Sequence, residues 1–227
     1  ADTVVATRYD SCITGIPLQG VFQKKEEIFD KIQEIDGKLI IKEYPTKSAN
    51  TNTLKTHLEK LTRRGEEVGM VIVDYGDLLK PISAQREKRN ELESIYEELR
   101  AIAQIHSCPV WTASQTNRSG LNAEVITMES ISEAFNKCFV ADFIFSISRT
   151  VEDKNTNSGR IFVAKNRNGP DGLVYPIFMD TSNVKIRVST NTGVTVAQAS
   201  SQIVKNQSET LKEKYRKFRK DKKEKEE

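Results

Sequence analysis

The sequence predicts an α/β domain: a largely parallel sheet flanked by helices and edged by an antiparallel hairpin. Three observations predict it. Short apolar runs at 38–45, 68–75, 108–115 and 141–148 alternate with segments of helical period, the order that builds a parallel sheet. Two of these runs end abruptly in polar groups, "VIVDYGDLL" at 71–79 and "CPVWTASQTNRS" at 108–119. Buried strands look like this when they deliver side chains to a site at their carboxyl ends. Downstream, "RIFVAK" and "LVYPIFMD" flank "NRNGPDG", whose Asn-Gly and Asp-Gly pairs are hairpin-turn chemistry.

Taken in order, residues 1–9 read as the end of a helix. A second helix is expected over 20–35, with Ile28, Phe29, Ile32 and Ile35 on one face. Gly37 stops it, and "KLIIKEYP" at 38–45 reads as a strand ended by Pro45. Leu54, Leu58 and Leu61 mark a helix to about Arg64, and "VGMVIVDY" at 68–75 is a fully apolar strand. Leu92, Ile95, Leu99 and Ile102 define the longest helix, 86–106, closed before Pro109. After the strand "PVWTASQ", residues 116–137 carry no strand signal, but Ser130 with Glu133 is a capping box that predicts a short helix near 131–138. "ADFIFSIS" is a strand, "RTVEDKNTNSG" a polar loop, and "NVKIRVS" a last short strand after the hairpin.

Composition limits the function classes. Charged residues make up 30% of the chain and apolar residues 37%. Both figures are skewed by the end of the chain: residues 201–227 hold ten Lys/Arg against six Asp/Glu, so residues 1–200 sit near −1 while the whole chain is +3. The body is therefore not a nucleic-acid binder by bulk charge, and any such contact must be local. Three widely spaced cysteines, Cys12, Cys108 and Cys138, point to a reducing compartment without a disulfide framework. His57 and His106 lack metal-ligand spacing. No run of about 18 apolar residues is present, so no membrane association is expected. No secretory signal opens the chain; Ala1 begins in a helical pattern without Met, which reads as a partial chain. Residues 189–207, rich in Thr, Ser, Asn and Gln, read as a polar linker. Residues 208–227 read as a charged tail, a frayed helix or a docking segment.

The polar tips supply an acid, an amide and two cations: Asp74, Gln115, and the pair Lys165 and Arg167. Together they suit a magnesium-bound nucleotide. Asp74 would hold magnesium through water, and Gln115 would contact a γ-phosphate or its water; each is also an ordinary strand-end polar residue. Lys165 and Arg167 are two apart and point to one side of an extended chain, where they repel unless an anion sits near them. A plain surface strand tolerates them too. No G-x-x-x-x-G-K-[ST] phosphate loop occurs in the 227 residues.

"IVDYGDLLK", "PVWTASQTNRS", "ESISEAFNKCFVADFIFSI" and "AKNRNGPDG", in this order and at these separations, resemble the RecA-type motor domain of DnaB-type replicative helicases. The resemblance spans residues 1–188, is weaker before 68, and "TRYDSCITGIP" adds to it. It implies a RecA-like, mostly parallel sheet flanked by helices, using ATP and Mg2+. It implies that Asp74 is the magnesium-side acid, that Gln115 couples nucleotide state to DNA-contacting loops, and that Lys165 and Arg167 reach a neighbouring subunit's γ-phosphate. The segment 117–137, with Asn117, Arg118, Glu133 and Lys137, would track single-stranded DNA. A homo-oligomeric ring, a hexamer in this family, would follow, with a primase or helicase loader as further partners and the cytoplasm as its place (host cytoplasm for a phage protein).

The chain departs from the family's pattern at two points. Ser132 stands where an Arg is usual, and Gly76-Asp77 replaces a more usual Leu-Gln, adding an acid near the site. The divergence has a phage-like character. The phosphate loop and catalytic Glu that the family requires would lie before Ala1, so the chain alone is expected to be inactive. A RecA-like ATPase of another branch, a recombinase or clock type, remains an alternative. So does a degenerate RecA-like module that binds without hydrolysis.

Overall fold

The structure is a computed structural model that describes residues 2–117, 123–130 and 136–189, and beyond these 193–195, 198, 199, 201, 204, 205, 208, 209, 212 and 215. Helix α4 (Lys88–His106) organises the larger core. Its apolar residues recur at intervals of three and four, and Leu92, Ile95, Leu99 and Ile102 are all buried. They pack with Leu58 of α3 (Thr51–Arg63), Ala49 and Leu79. Asn50 caps α3 by accepting from the Thr53 N–H at 3.0 Å. Ser107, in the left-handed region at φ 51°, ends α4 and turns the chain back along it.

That turn delivers β2 (Val110–Thr112) parallel to β1 (Val71–Val73), in the register Val71–Val110, Ile72–Trp111 and Val73–Thr112. A strand, a helix of about five turns and a parallel strand form one crossover unit. Val71, Val73 and Val110 face α4. The opposite face of the pair is open: Ile72 is 61% exposed and Trp111 38%. The sequence reads this strand as apolar throughout and buried on both faces. Among the described residues one face is covered and the other is not.

A four-stranded antiparallel sheet follows, in the order β3 (Phe143–Ser148), β4 (Ser158–Asn166), β5 (Val174–Asp180), β6 (Lys185–Val188). It joins the parallel pair through rings: Trp111 meets Phe143 and Phe145 edge-on, with centroids 6.1 and 5.8 Å apart. The expected hairpin is β4–β5, and the antiparallel part extends beyond it to β3 and β6.

Several expectations are corrected. The first helix, α1 (Asp2–Thr14), is longer than the sequence suggests and ends at Gly15, φ +75°. The 20–35 helix is divided into a 3-10 turn at Leu18–Gln23 and α2 (Lys25–Gln33). Ile28 and Ile32 join Ile16 and Val21 in a small second core, whereas Phe29 and Ile35 are 62% and 45% exposed. A cluster this small is served by one narrow stripe: Phe29 sits a third of a turn away from it, and Ile35 lies past the helix end. Residues 38–45 form no strand, and Leu39, Ile40 and Ile41 are exposed. An apolar run becomes a strand only where a neighbour pairs with its backbone, and β1 offers this one no pairing. The "RTVEDKNTNSG" loop contains α6 (Val151–Asn155), opened by a reciprocal capping box between Thr150 and Asp153. The Thr-x-x-Asp spacing that marks this helix is legible in the sequence. Past β6, Val194 bridges Val174 and Ala199 is fully buried. Among the described residues no helix is long and apolar enough to cross a membrane.

Asp153 also anchors the sheet. It is fully buried and accepts from Arg160 of β4 at 2.6 Å, with Arg160 only 4% exposed. Burial alone would raise the Asp153 carboxyl, but the Thr150 hydrogen bonds and the Arg160 charge outweigh it and hold it below the ordinary value. Removing one partner of a buried pair leaves an uncompensated charge. Arg160→Met should therefore lower unfolding free energy by about 3–5 kcal/mol in urea melts. A carboxyl depressed in the folded state adds stability above its unfolded value, near 4, and loses it as pH falls toward the folded value. The parent should accordingly lose stability below about pH 4, and Arg160→Met should show a shallower acid dependence.

Candidate functional site

The parallel register brings the ends of β1 and β2 side by side, so Asp74 and the Ala113–Gln115 segment leave the sheet at one edge. Gln115 Nε2 donates to the Tyr75 hydroxyl at 2.9 Å, which ties the two strand ends together beyond the ladder. Asp74 is exposed, and among the described residues nothing hydrogen-bonds or ion-pairs with its carboxylate. The chain then tightens: Gly76 N–H donates to Thr112 Oγ1 at 2.8 Å, and Thr112 Oγ1 donates to the Val73 carbonyl at 2.9 Å. A Cβ at Gly76 would lie 3.3 Å from both Thr112 Oγ1 and Tyr96 Cε2. A side chain here would force that turn away from β2, which accounts for the glycine.

Asp77, one residue on, gathers the surrounding elements. It accepts from the Tyr96 hydroxyl of α4 at 2.9 Å and from Lys137 Nζ at 3.1 and 3.2 Å, with Ser114 Oγ at 3.5 Å. Lys137 opens α5 (Lys137–Val140) and is 2% exposed. Its ammonium also lies 5.4 Å from the centre of the Tyr96 ring. Burial, and then the Asp77 charge, hold the Tyr96 phenol far above its ordinary value, so it remains a hydrogen-bond donor.

The other end of α5 holds the predicted cation pair. Lys165 Nζ donates to the Cys138 and Phe139 carbonyls at 2.8 and 3.1 Å. Arg167 donates to the Phe139 carbonyl at 3.3 Å and pairs with Asp142. Arg100 of α4 pairs with the same Asp142 at 3.0 Å and donates to the Val140 carbonyl. Cations at the unsatisfied carbonyls of a helix end are favourable. Lys165 is held below its ordinary value, first by burial and then by Arg167 beside it.

The sequence-predicted residues thus fall into two groups. Asp74 and Gln115 share one strand-end edge, while Lys165 and Arg167 share the end of α5. Among the described residues no hydrogen bond or ion pair joins the groups. Asn117 is fixed: its N–H donates to the Ser130 carbonyl at 2.7 Å and its side chain to the Glu129 carbonyl at 3.3 Å, closing a loop over 117–130. Arg118 and Glu133, with most of the expected 131–138 helix, lie outside the described residues. Lys137 is corrected. Expected on the DNA-facing segment, it is buried, because an ammonium entering the protein beside α4 is stable only against a carboxylate such as Asp77. Sequence reasoning missed Tyr96, Arg100 and Asp142. It noted Asp77 as an added acid without seeing what pairs with it.

Among the described residues no group of three metal-ligating side chains occurs. One unpartnered carboxylate at a strand end fits a magnesium ion held chiefly by phosphate and water, with Asp74 as an outer or single ligand.

The sequence pattern of the DnaB-like helicase C-terminal domain matches residues 13–185. The chain belongs to this family. It is 28% identical over 164 residues to a DnaB-like replicative helicase of Enterobacteria phage T4, covering 67% of this chain and 34% of that protein. It is also 28% identical over 145 residues to the replicative DNA helicase DnaB of Geobacillus stearothermophilus, covering 61% and 32%. The chain thus spans about a third of the length of these curated relatives. Among solved structures it resembles an isolated ATPase domain, with a TM-score of 0.71, 19% identity, and 84% of this chain and 72% of that one covered. It also resembles a DnaB-like replicative helicase described with its interactions with primase, at TM-score 0.66, 19% identity, and 79% and 46% covered. These likenesses establish the RecA-like fold of the family's ATPase domains.

α5 makes a chemical prediction. Burial raises the Cys138 thiol above its ordinary value, against the pull of Lys137 and Lys165, and Cys108 is buried as well. Cys12 is exposed. A thiol reagent at pH 7.5 should label Cys12 promptly, and should reach Cys108 and Cys138 only after denaturant is added. Peptide mapping of the labelled protein reads the order.

Proposed function

We propose that this chain is the later part of an ATP-driven replicative DNA helicase motor that moves along single-stranded DNA as a homo-oligomeric ring, a hexamer. The observation that carries the reading is the family match across residues 13–185, joined to a structure in which Asp74 and Gln115 leave one edge of the parallel pair. Bound ATP and magnesium would supply the reactive phosphoryl group and its charge-neutralising ion. Asp74 would hold the metal through water. Gln115, already linked to Tyr75, would pass changes at the nucleotide to the 117–137 segment, where Asn117, Arg118 and Glu133 lie. The phosphate-loop role falls to polypeptide outside these 227 residues. A primase or loader is a fitting partner, since one structural relative is described with primase, and the place of action is the cytoplasm, of the host for a phage protein.

Lys165 and Arg167 act in trans in this reading. Their support is geometric: they sit at the end of α5, held by its carbonyls and Asp142, with no bond to their own Asp74 edge. Arg167 would stabilise charge on the phosphoryl group bound by a neighbouring subunit.

The test has two arms. Residues 1–227 alone should hydrolyse ATP at background rate; robust magnesium-dependent turnover abolished by Asp74→Ala would overturn the assignment of the phosphate loop. In the full-length polypeptide, Arg167→Ala should retain nucleotide binding and lose DNA-stimulated hydrolysis by roughly 10³–10⁵. Mixing it with a subunit whose phosphate loop is disabled but whose Arg167 is intact should recover some turnover. Co-assembled mixtures without recovery would defeat the trans role.

A further inference from the structure

The buried pair Asp77–Lys137 has no part in the chemistry assigned so far, yet it joins both groups of site residues. Asp77 lies three residues past Asp74, on the turn that Gly76 presses against β2. Its carboxylate takes the hydroxyl of Tyr96 and two contacts from Lys137, so the turn, α4 and α5 meet at one side chain. Lys137 begins a helix of only four residues. A helix that short has almost no stability of its own, so its position is set by what grips its ends. Lys137, 2% exposed on Asp77, grips one end. Lys165, Arg167 and Arg100 grip the other through the Cys138, Phe139 and Val140 carbonyls.

We infer that Asp77 and Lys137 are positioning residues. Their ion pair fixes α5 against the turn after Asp74, and the last carbonyls of α5 fix the resting place of Lys165 and Arg167. A movement of the Asp74 turn is therefore transmitted to the cation pair through a single four-residue helix. The 117–130 loop enters the same path, because Ser114 lies on Asp77 and Asn117 is tied to 129–130. The chain's departure from the family pattern at Gly76-Asp77 has a function here: the acid is the counter-charge that lets α5 carry a buried lysine. Neither residue touches the reacting atoms. The inference rests on the trans role of Arg167.

A double-mutant cycle in the full-length polypeptide tests it, with DNA-stimulated hydrolysis and the affinity of a fluorescent ATP analogue as separate readouts. Lys137→Met should lower the hydrolysis rate about 10- to 100-fold, the scale of an ångström-sized misplacement, while analogue affinity stays near the parent's. Combined with Arg167→Ala, it should cost roughly twofold or less beyond Arg167→Ala alone, because both changes remove the same placed cation. A residue that only supports the fold would instead multiply its own loss onto that of Arg167→Ala. Full multiplication, or parental rates in Lys137→Met, overturns the inference. Should Lys137→Met fail to assemble, the cycle is run with Lys137→Arg, which keeps the charge on a longer, planar head. A smaller loss with the same lack of multiplication is then expected, and multiplication again overturns the inference. If Arg167→Ala alone hydrolyses like the parent, the trans reading falls and takes this inference with it, an outcome distinct from failure at Lys137.

Discussion

The parallel alignment of β1 and β2 depends on α4, and most of the site depends on that alignment. Two three-residue strands form few hydrogen bonds, and an isolated pair of this length would not hold in water. The buried stripe Leu92, Ile95, Leu99 and Ile102 supplies what the ladder lacks. At about 1.5–3 kcal/mol per fully buried aliphatic side chain, it outweighs any single polar contact at the strand tips. The turn at Ser107 then fixes the direction of return. Asp74 and Gln115 lie at one edge because a helix of this length, buried along one face, leaves the next strand parallel to the last. The same helix contributes Tyr96 and Arg100 from its other positions, so one element packs the core and also holds the two polar clusters.

Two buried ion pairs serve different ends. Asp153–Arg160 lies within one structural unit, joining α6 to the β4 strand that immediately follows it. Asp77–Lys137 spans sixty residues and joins elements that share little apolar surface. Buried pairs are weak sources of net stability but costly to break. That asymmetry suits the second pair, which gives α5 a specific position rather than a deep energy well. The Lys137 ring contact and the Tyr96 hydroxyl complete the desolvated site, so no charge there is left without partners.

The sequence discloses the fold where it is periodic and withholds it where pairing partners decide. The α4 stripe and the Asn-Gly hairpin are legible, and so is the shared edge of Asp74 and Gln115, because each follows from local spacing. The 38–45 run misleads for a physical reason: its residues favour a strand, but a strand exists only in a ladder. Phe29 reads as an inward residue because four apolar residues at helical spacing look like one face, whereas the core beneath holds only Ile28 and Ile32. Lys137 misleads because its partner is distant in sequence. A lysine beside an exposed segment reads as a surface cation until Asp77 is found across the fold. Arg100 and Asp142 show the same difficulty, since neither belongs to a short motif and both acquire meaning only where α4, α5 and β4 converge.

Relative energies indicate which of these contacts exchange during work. Arg167 and Asp142 are 44% and 55% exposed, and an ion pair in that setting is worth about 0–1 kcal/mol. A phosphate oxygen in a desolvated interface competes easily with such a partner. Lys137 and Asp77, at 2% and 19% exposed, are in the opposite regime, where separating the charges costs several kcal/mol. The end of α5 that holds the cation pair is therefore the end that can let go, and the end on Asp77 is the one that stays. A helix fixed at the Asp74 turn and loosely held at Arg167 is a lever with its pivot beside one strand tip and its free end at the sheet edge. This arrangement allows Arg167 to leave for a neighbouring subunit without disturbing the strand ends of its own.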